Sequence, residues 1–380
     1  MKIIGFLIIF VVYILANFYV FHHIWMAMPP NTIGRVSLVS FAVIAVSSFF
    51  LSFFLGDSMP VWLASGLYKI GTAWLFILLY FFIVMAAKDL FGLANKLLHF
   101  MPGDAITRYT KENWVGLGFM VGFITLVMVC GYLKYQSKVR VELPVETSKI
   151  IGDSILTKPL RIVAISDLHL GYGIGKKEFE TWVELINAEK PDMVLIAGDI
   201  IDNSVRPLEK GNFAESFHKI KAPMGIYACP GNHEYISGIK GSLDFIEKTG
   251  VRLLRDSVAE VDSCIYVIGR DDRSNEGRKS LKELTDSLDH SKFIILLDHQ
   301  PYNLEESEQQ GVDLQISGHT HQGQVWPISA ITKALYEIDH GFLKKGNTDI
   351  FVSSGIGIWG GKFRIGTQSE YVVIDIDRKR

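Results

Sequence analysis

Four long uncharged stretches constrain this chain before anything else does. From Lys2 it reads KIIGFLIIFVVYILANFYVF, about twenty residues without a further charge, the length an α-helix needs to cross a hydrocarbon core. Three comparable runs follow at residues 34–55 (GRVSLVSFAVIAVSSFFLSFFL), 64–87 (ASGLYKIGTAWLFILLYFFIVMAA) and 114–133 (WVGLGFMVGFITLVMVCGYL). A helix in a soluble core rarely stays uncharged that long, because one side of it usually meets water. The pattern predicts a transmembrane region of about four helices over residues 1–140. No small-residue cleavage site follows the first run before the bulky YVFHHIW, so that run is expected to be retained rather than removed as a signal.

Four spans put both chain ends on one side of a bilayer, here a bacterial inner or plasma membrane. Lys2, Lys69, Lys134, Lys138, Arg140 and Lys149 fall on that side and Arg35, Lys88, Lys96, Arg108 and Lys111 on the other. Positive charge marks cytoplasmic loops, and the excess of one leans toward a cytoplasmic C-terminal half. No run carries a convincing intramembrane carboxylate or paired charge, so anchoring is expected rather than transport. Trp25, Trp62, Tyr109, Trp114, Tyr132 and Tyr135 lie near run ends and suit an interfacial aromatic belt.

Beyond residue 140 the character changes. Of the 38 Lys/Arg and 40 Asp/Glu, 28 and 36 lie there, a net charge of −8. An acidic half of this kind does not grip nucleic acid through a broad basic face. Cys130, Cys229 and Cys264 form neither a disulfide framework nor a thiolate zinc cluster; Cys130 reads as a small buried hydrophobe and Cys229 as packing behind a site. The charged stretch 134–158 marks a boundary and the first strands of a soluble domain, with 141–154 expected as linker and 155–380 as the domain proper. Short apolar runs then end repeatedly in polar clusters: LRIVAISDLH, DMVLIAGDI, GIYACPGNHE, KFIILLDHQ, DLQISGHTH and DIFVSSGIG. Such runs read as buried strands, and helical patterns between them, as in KKEFETWVELINAEK, make βα units of an α/β fold. Ligand-binding loops of open α/β sheets gather at the C-terminal ends of the strands.

The loops offer Asp167 and His169, Asp199, Asn232 and His233, His299, and His319 and His321. These oxygen and imidazole donors without thiolates suit Mn, Fe or Zn. Each cluster alone is weak, but five in this order at five strand ends form a set. In that order, D-x-H, GD, GNH followed by an acid, a lone H and GHxH, the sequence resembles the calcineurin-like metallophosphoesterases over residues 155–380. The resemblance implies an α/β/β/α sandwich holding two divalent ions, one on Asp167, His169, Asp199 and His321, the other on Asp199, Asn232, His299 and His319. It makes Asp199 the bridge and leaves His233 facing the leaving group. The closing GHTHQGQ and SSGIGIWGGKFRIGTQSEYVVIDI also look like a membrane-linked subfamily of these phosphoesterases, with Gln322 where a glycine is usual and Ser166 where many relatives in the wider family have glycine. Gln322 is expected to impose a backbone that tolerates a side chain, and a narrower mouth.

Chemistry agrees. Phosphate esters repel hydroxide, and two cations roughly 3.5–4 Å apart both offset that charge and acidify a water. A shared carboxylate offsets the repulsion between two such ions, while neutral imidazoles keep the ligand charge low. His233 is the candidate general acid, with orientation of Asn232 as its plainer role. Asp202 reads as an acceptor that fixes a ligand ring or as an exposed turn residue, Glu234 as support, and Arg270, Arg273 and Arg364 as surface salt bridges more readily than phosphate contacts. The expected function is a membrane-anchored, metal-dependent phosphoesterase acting on a phosphate ester or pyrophosphate. The subfamily resemblance brings in lipid-linked substrates, including the pyrophosphate of UDP-diacylglucosamine, and membrane lipids as partners. A membrane sensor that binds a phosphorylated ligand without turnover is the alternative, and a nuclease is disfavoured by the acidic domain.

Overall fold

The computed structural model describes residues 2–149 and 159–378. They form two compact units, Met1–Cys130 and Gly131–Arg380. In the first, helices α1 (Lys2–Ala27), α2 (Thr32–Leu55) and α3 (Val61–Leu98) are followed by a short α4 (Gly103–Thr110), and α5 (Trp114–Gln136) runs on into the second unit. Four of these, all but α4, are long and apolar enough to cross a membrane. Their outward positions are apolar, as a lipid-facing surface requires, and Trp62 and Trp114 are exposed as an interfacial belt needs. Cys130, expected as a buried residue, is exposed on α5.

Helix α3 is 38 residues long, about 57 Å at the α-helical rise, and so outruns the apolar stretch that signals it. Its extension carries Lys88 and Asp89 to His23 of α1 and to Glu112. His23 Nδ1 lies 2.5 Å from Glu112 Oε1 and its Nε2 3.3 Å from Asp89 Oδ2, Tyr19 donates to Asp89 (2.6 Å), and Lys88 pairs with Glu112. The apolar runs give no sign of this network, because its members lie at their edges and meet only when the helices pack.

The second unit holds two six-stranded mixed sheets. One is ordered β1 (Lys138–Thr147), β12 (Ser369–Arg378), β2 (Leu160–Ile165), β3 (Met193–Ala197), β4 (Ile226–Cys229), β5 (Arg252–Leu253). The other runs β10 (Gly341–Lys345), β11 (Thr348–Val352), β9 (Leu314–Ser317), β8 (Phe293–Leu297), β7 (Ile265–Gly269), β6 (Ser257–Val261). Period-2 alternation explains the layering. Ile162 and Ala164 of β2 join Leu195, Ile374, Ile295 and Ile316 in a core between the sheets, while Val163 and Ile165 face Phe179, Trp182 and Ile186 of helix α6 (Lys176–Ala188). A third cluster, with Ile268, Ile294 and Leu296 under Leu281 and Leu284, covers the outer face of the other sheet. Strands buried on both faces read as unbroken apolar runs, which is why they were visible in the sequence. The expected α/β/β/α sandwich is present.

The linker expectation needs correction. Residues 141–147 belong to β1, which pairs in parallel with β12 over ten positions, Lys138↔Ser369 to Thr147↔Arg378. First strands were expected within 134–158, but the charges of KVRVELPVET drew the linker bounds across this one: Arg140, Glu142 and Glu146 lie on the exposed face of an edge strand. Residues 150–154 of the expected linker lie outside the described residues. Tyr135, expected in the interfacial belt, is instead fully buried, donating to Glu178 with Lys138 Nζ 3.5 Å from its ring centre. Burial, opposed only in part by Glu178, brings the Lys138 ammonium down to about 6.

Candidate metal centre

All the donor loops leave the C-terminal ends of strands: Asp167 follows β2, Asp199 β3, Asn232 β4, His299 β8 and His319 β9. The two sheets present these ends along a common edge, so loops up to 154 residues apart meet. Asp167, His169 and His321 form one group of mutually close donor atoms, Asp199, His299 and His319 a second, and His169, Asp199 and His233 a third. His169 Nε2 lies 3.0 Å from His321 Nε2 and 3.6 Å from Asp199 Oδ2; His299 Nε2 lies 3.1 Å from the same Asp199 oxygen. Asn232 Oδ1 is 2.8 Å from His319 Nδ1. The structure thus brings together all eight residues singled out from the sequence.

Backbone geometry pays a local energy to do so. Asp167, His169, Asp199, His319 and His321 all have φ between 46° and 72°, a left-handed region costing a non-glycine residue roughly 1–2 kcal/mol. What holds them there is a lattice of main-chain bonds. Asp167 N–H donates to Gly198 O (3.1 Å), His169 N–H to Asp199 O (3.0 Å) and Gly318 N–H to His299 O (2.9 Å). The buried Glu234 carboxylate accepts from four backbone amides, Asp199, Ile200, Ile201 and Gly231, at 2.7–3.1 Å. Two motif glycines are required by close approach: a Cβ on Gly231 would sit 2.2 Å from Asp199 Oδ1, and one on Gly318 2.3 Å from Asp167 Oδ2.

These donors fit a cation. His299 Nδ1 is 2.7 Å from the Ala197 carbonyl, so that nitrogen donates there and Nε2 faces the Asp199 carboxylate; burial lowers the ring, but the Asp199 charge prevails and holds it well above its ordinary value. A carboxylate that draws positive charge onto the ring beside it sits where a cation would be held. His321 Nδ1 and His169 Nδ1 are also buried without hydrogen-bond partners among the described residues. Burial and the neighbouring His299 push the His319 ring down to about 4, favouring the neutral, ligating form.

Asp202 is no exposed turn residue. It is 1% exposed, and its Oδ1 lies 3.0 Å from His233 Nδ1 and 3.8 Å from His169 Nδ1. Burial works to raise its carboxyl, yet those two rings outweigh burial and hold it well below the usual carboxylate range. Burial likewise lowers His233, but the Asp199 and Asp202 charges prevail and lift it to about 9. Burial, followed by the Asp199 charge, raises Glu234 to about 7.

The arginines depart from expectation. Arg364, read as a surface group, is 1% exposed and donates to the carbonyls of His321 (2.6 Å), Ser354 (2.5 Å) and Gly357 (3.2 Å) and to Ser369 Oγ (3.1 Å). Arg270 is buried as well, bridging Asp298 and Glu306 at 3.1 and 2.9 Å, and Arg278, which the sequence did not single out, forks onto both Asp298 oxygens at 3.2 Å behind His299. Arg273 is exposed, with its guanidinium 4.6 Å from the Tyr302 ring centre. Tyr302 and Tyr336 share a 3.0 Å hydroxyl contact, and the Tyr336 ring lies 6.4 Å from that of His319. Tyr302 directly follows the Asp298-His299-Gln300-Pro301 stretch, whereas no local signal marks Tyr336.

Gln322 also corrects the sequence reading. Its backbone sits at φ 54°, ψ 29°, the conformation a glycine would favour, and its Oε1 is buried without a hydrogen-bond partner among the described residues. Gln322→Gly is expected to raise stability by about 1 kcal/mol, read as a higher thermal midpoint of the detergent-solubilised protein. A lower midpoint would show that the side chain supports the loop.

Comparison with known proteins follows the same lines. A model of the calcineurin-like phosphoesterase family matches residues 160–323. The chain is 29% identical over 350 residues to a metallophosphoesterase of Helicobacter pylori (strain J99), covering 89% of each chain. It is 33% identical over 229 residues to a metallophosphoesterase of Aquifex aeolicus, covering 58% of this chain and 86% of that one. A Danio rerio protein named as a transmembrane protein with metallophosphoesterase domain is 28% identical over 370 residues, 90% of this chain and 80% of its own.

Proposed function

The chain belongs to the calcineurin-like metallophosphoesterases, and on that premise we propose that it is a membrane-anchored hydrolase of a phosphate ester or pyrophosphate with a dinuclear metal centre. The observation that carries this reading is Asp199, whose Oδ2 lies 3.6 Å from His169 Nε2 on one side and 3.1 Å from His299 Nε2 on the other. One carboxylate shared between two donor groups is what two adjacent cations require. Asp167, His169, Asp199 and His321 would hold the first ion and Asp199, Asn232, His299 and His319 the second, with Mn, Fe and Zn all compatible with the donors. When bound, two such ions neutralise the phosphoryl oxygens and acidify a water.

The protein's own groups supply the rest. Asp202 occupies His233 Nδ1, leaving Nε2 as the nitrogen able to pass a proton to the departing oxygen as the P–O bond breaks. The His233 amide donates to Asp199 Oδ1 at 2.8 Å, which ties the acid to the bridging carboxylate. Substrates would be phosphorylated small molecules or lipid headgroups, reached by a catalytic half on the cytoplasmic side of a bacterial membrane.

Stripping the purified protein with chelator and restoring Mn²⁺, Fe²⁺ or Zn²⁺ tests the metal dependence directly; hydrolysis of aryl phosphates that is indifferent to chelation would end the proposal. His233→Asn is expected to slow an alkyl phosphate about 10²–10⁴-fold and p-nitrophenyl phosphate far less, because a good leaving group needs little protonation. Equal losses on both substrates would remove His233 from the acid role.

A further inference from the structure

The helix Ile328–Leu335, which follows the GHTHQGQ loop, is turned inside out. A water-facing helix buries its apolar stripe and exposes its polar one. Here Ile328, Ile331 and Leu335, which share a face at i, i+3 and i+7, are 36%, 56% and 71% exposed, and the helix buries no residue at all. The polar side is the one turned inward: Thr332 donates to Asp339 Oδ2 (2.7 Å), and Ser329 packs its backbone against Gly323. Trp326 just before the helix and Phe342 beyond it are 53% and 51% exposed, enlarging the apolar surface. Contiguous apolar surface of this kind marks a place that meets an apolar partner or medium.

We propose that this helix lies in the interfacial layer of the bilayer that the chain's own helices cross, so that the candidate metal centre works on lipid headgroups. Two observations select lipid over another protein, and a third ties the helix to the site. The second unit contains the last turn of α5, and its contacts place the helix next to that turn: Arg364 N–H donates to Gly131 O (3.0 Å), and the neighbouring Ile365 accepts from Trp326 N–H (2.8 Å). Arg364 and Ile365 thus bridge Gly131, in the last part of α5, to Trp326, two residues before the apolar helix. Trp326, with its amphipathic ring, and the exposed Lys333 in the last turn are the residue types that sit at headgroup level. The helix is also tied to the donor loop, since Thr320 Oγ1 donates to Asp339 O (2.5 Å) and Tyr336 at its end faces His319. A phosphate group in a bilayer headgroup is then the substrate that needs the least displacement from the membrane; this last step alone rests on the phosphoesterase reading.

The test uses the full-length chain with Cys130→Ser and Ile331→Cys, labelled with an environment-sensitive fluorophore and placed singly in nanodiscs of phosphatidylcholine and phosphatidylglycerol. The expected result is blue-shifted emission, quenched by doxyl-labelled lipid several-fold more than a label at Lys282→Cys, an exposed position on another helix. Water-like emission without lipid quenching overturns the proposal. So does a blue shift seen only when discs hold several copies, which would make the face a protein contact. Metal-dependent hydrolysis of p-nitrophenyl phosphate in the same discs separates the two readings. Hydrolysis without quenching removes the docking alone; quenching without hydrolysis removes the phosphoesterase and leaves the docking in place.

Discussion

Asp199→Asn is expected to lower the metal-restored hydrolysis rate by about 10³-fold or more and to reduce bound metal below two ions per chain. The substitution keeps the size of the side chain, and its carbonyl oxygen can still accept the 2.8 Å bond from His233 N–H. The four backbone amides held by Glu234 are untouched, so the loop stays folded. What disappears is one negative charge at the position proposed to be shared by both ions, so two cations would face each other with less charge between them. Metal analysis of the variant with parallel circular dichroism reads both parts of this expectation. Full occupancy with a rate within tenfold of the parent would show that Asp199 does not bridge.

Arg364→Ala is expected to cost about 4 kcal/mol of stability, the sum of acceptors left buried without a donor and of the cavity left behind. Its guanidinium donates to four carbonyls and a hydroxyl in a place water does not reach. One of those carbonyls belongs to His321, so the metal group of Asp167, His169 and His321 should lose affinity along with the fold. Arg364→Lys should recover only part of the loss, because an ammonium cannot reproduce the planar fork. Burial lowers this arginine only to about 10, so it stays charged throughout the neutral range and the effect should not depend on pH there. Denaturant midpoints of the three proteins measure it. An unchanged midpoint in the alanine variant would mean that the loop is held by other bonds.

The parts of the site that were legible in the sequence share a physical origin. Asp167, Asp199, Asn232, His299 and His319 each follow directly on a strand buried on both faces, so an unbroken apolar run points at the ligand beside it. The parts that were missed have no such pointer. Arg364 lies 43 residues from the His321 carbonyl it supports, Arg278 reaches Asp298 across twenty, and Tyr336 approaches His319 from the far end of a helix. A lone arginine in a loop reads as a surface charge, because burial is a property of what folds over it. The same reasoning covers β1, whose alternating charges resemble a linker until β12 pairs with it, and α3, whose polar extension follows an apolar stretch that was already complete.

By itself, then, the amino-acid order determined that four segments apolar enough to cross a bilayer precede a domain of buried strands, and which donor atoms are available to a cation, since both follow from local hydrophobicity and residue chemistry. Only the tertiary structure decided how those atoms are held. Left-handed backbone at five donor residues, a buried guanidinium under His321 and a helix with its apolar face outward are each unfavourable for an isolated segment. They persist because long-range hydrogen bonds and surrounding layers compensate for them, and no window of neighbouring residues contains those partners.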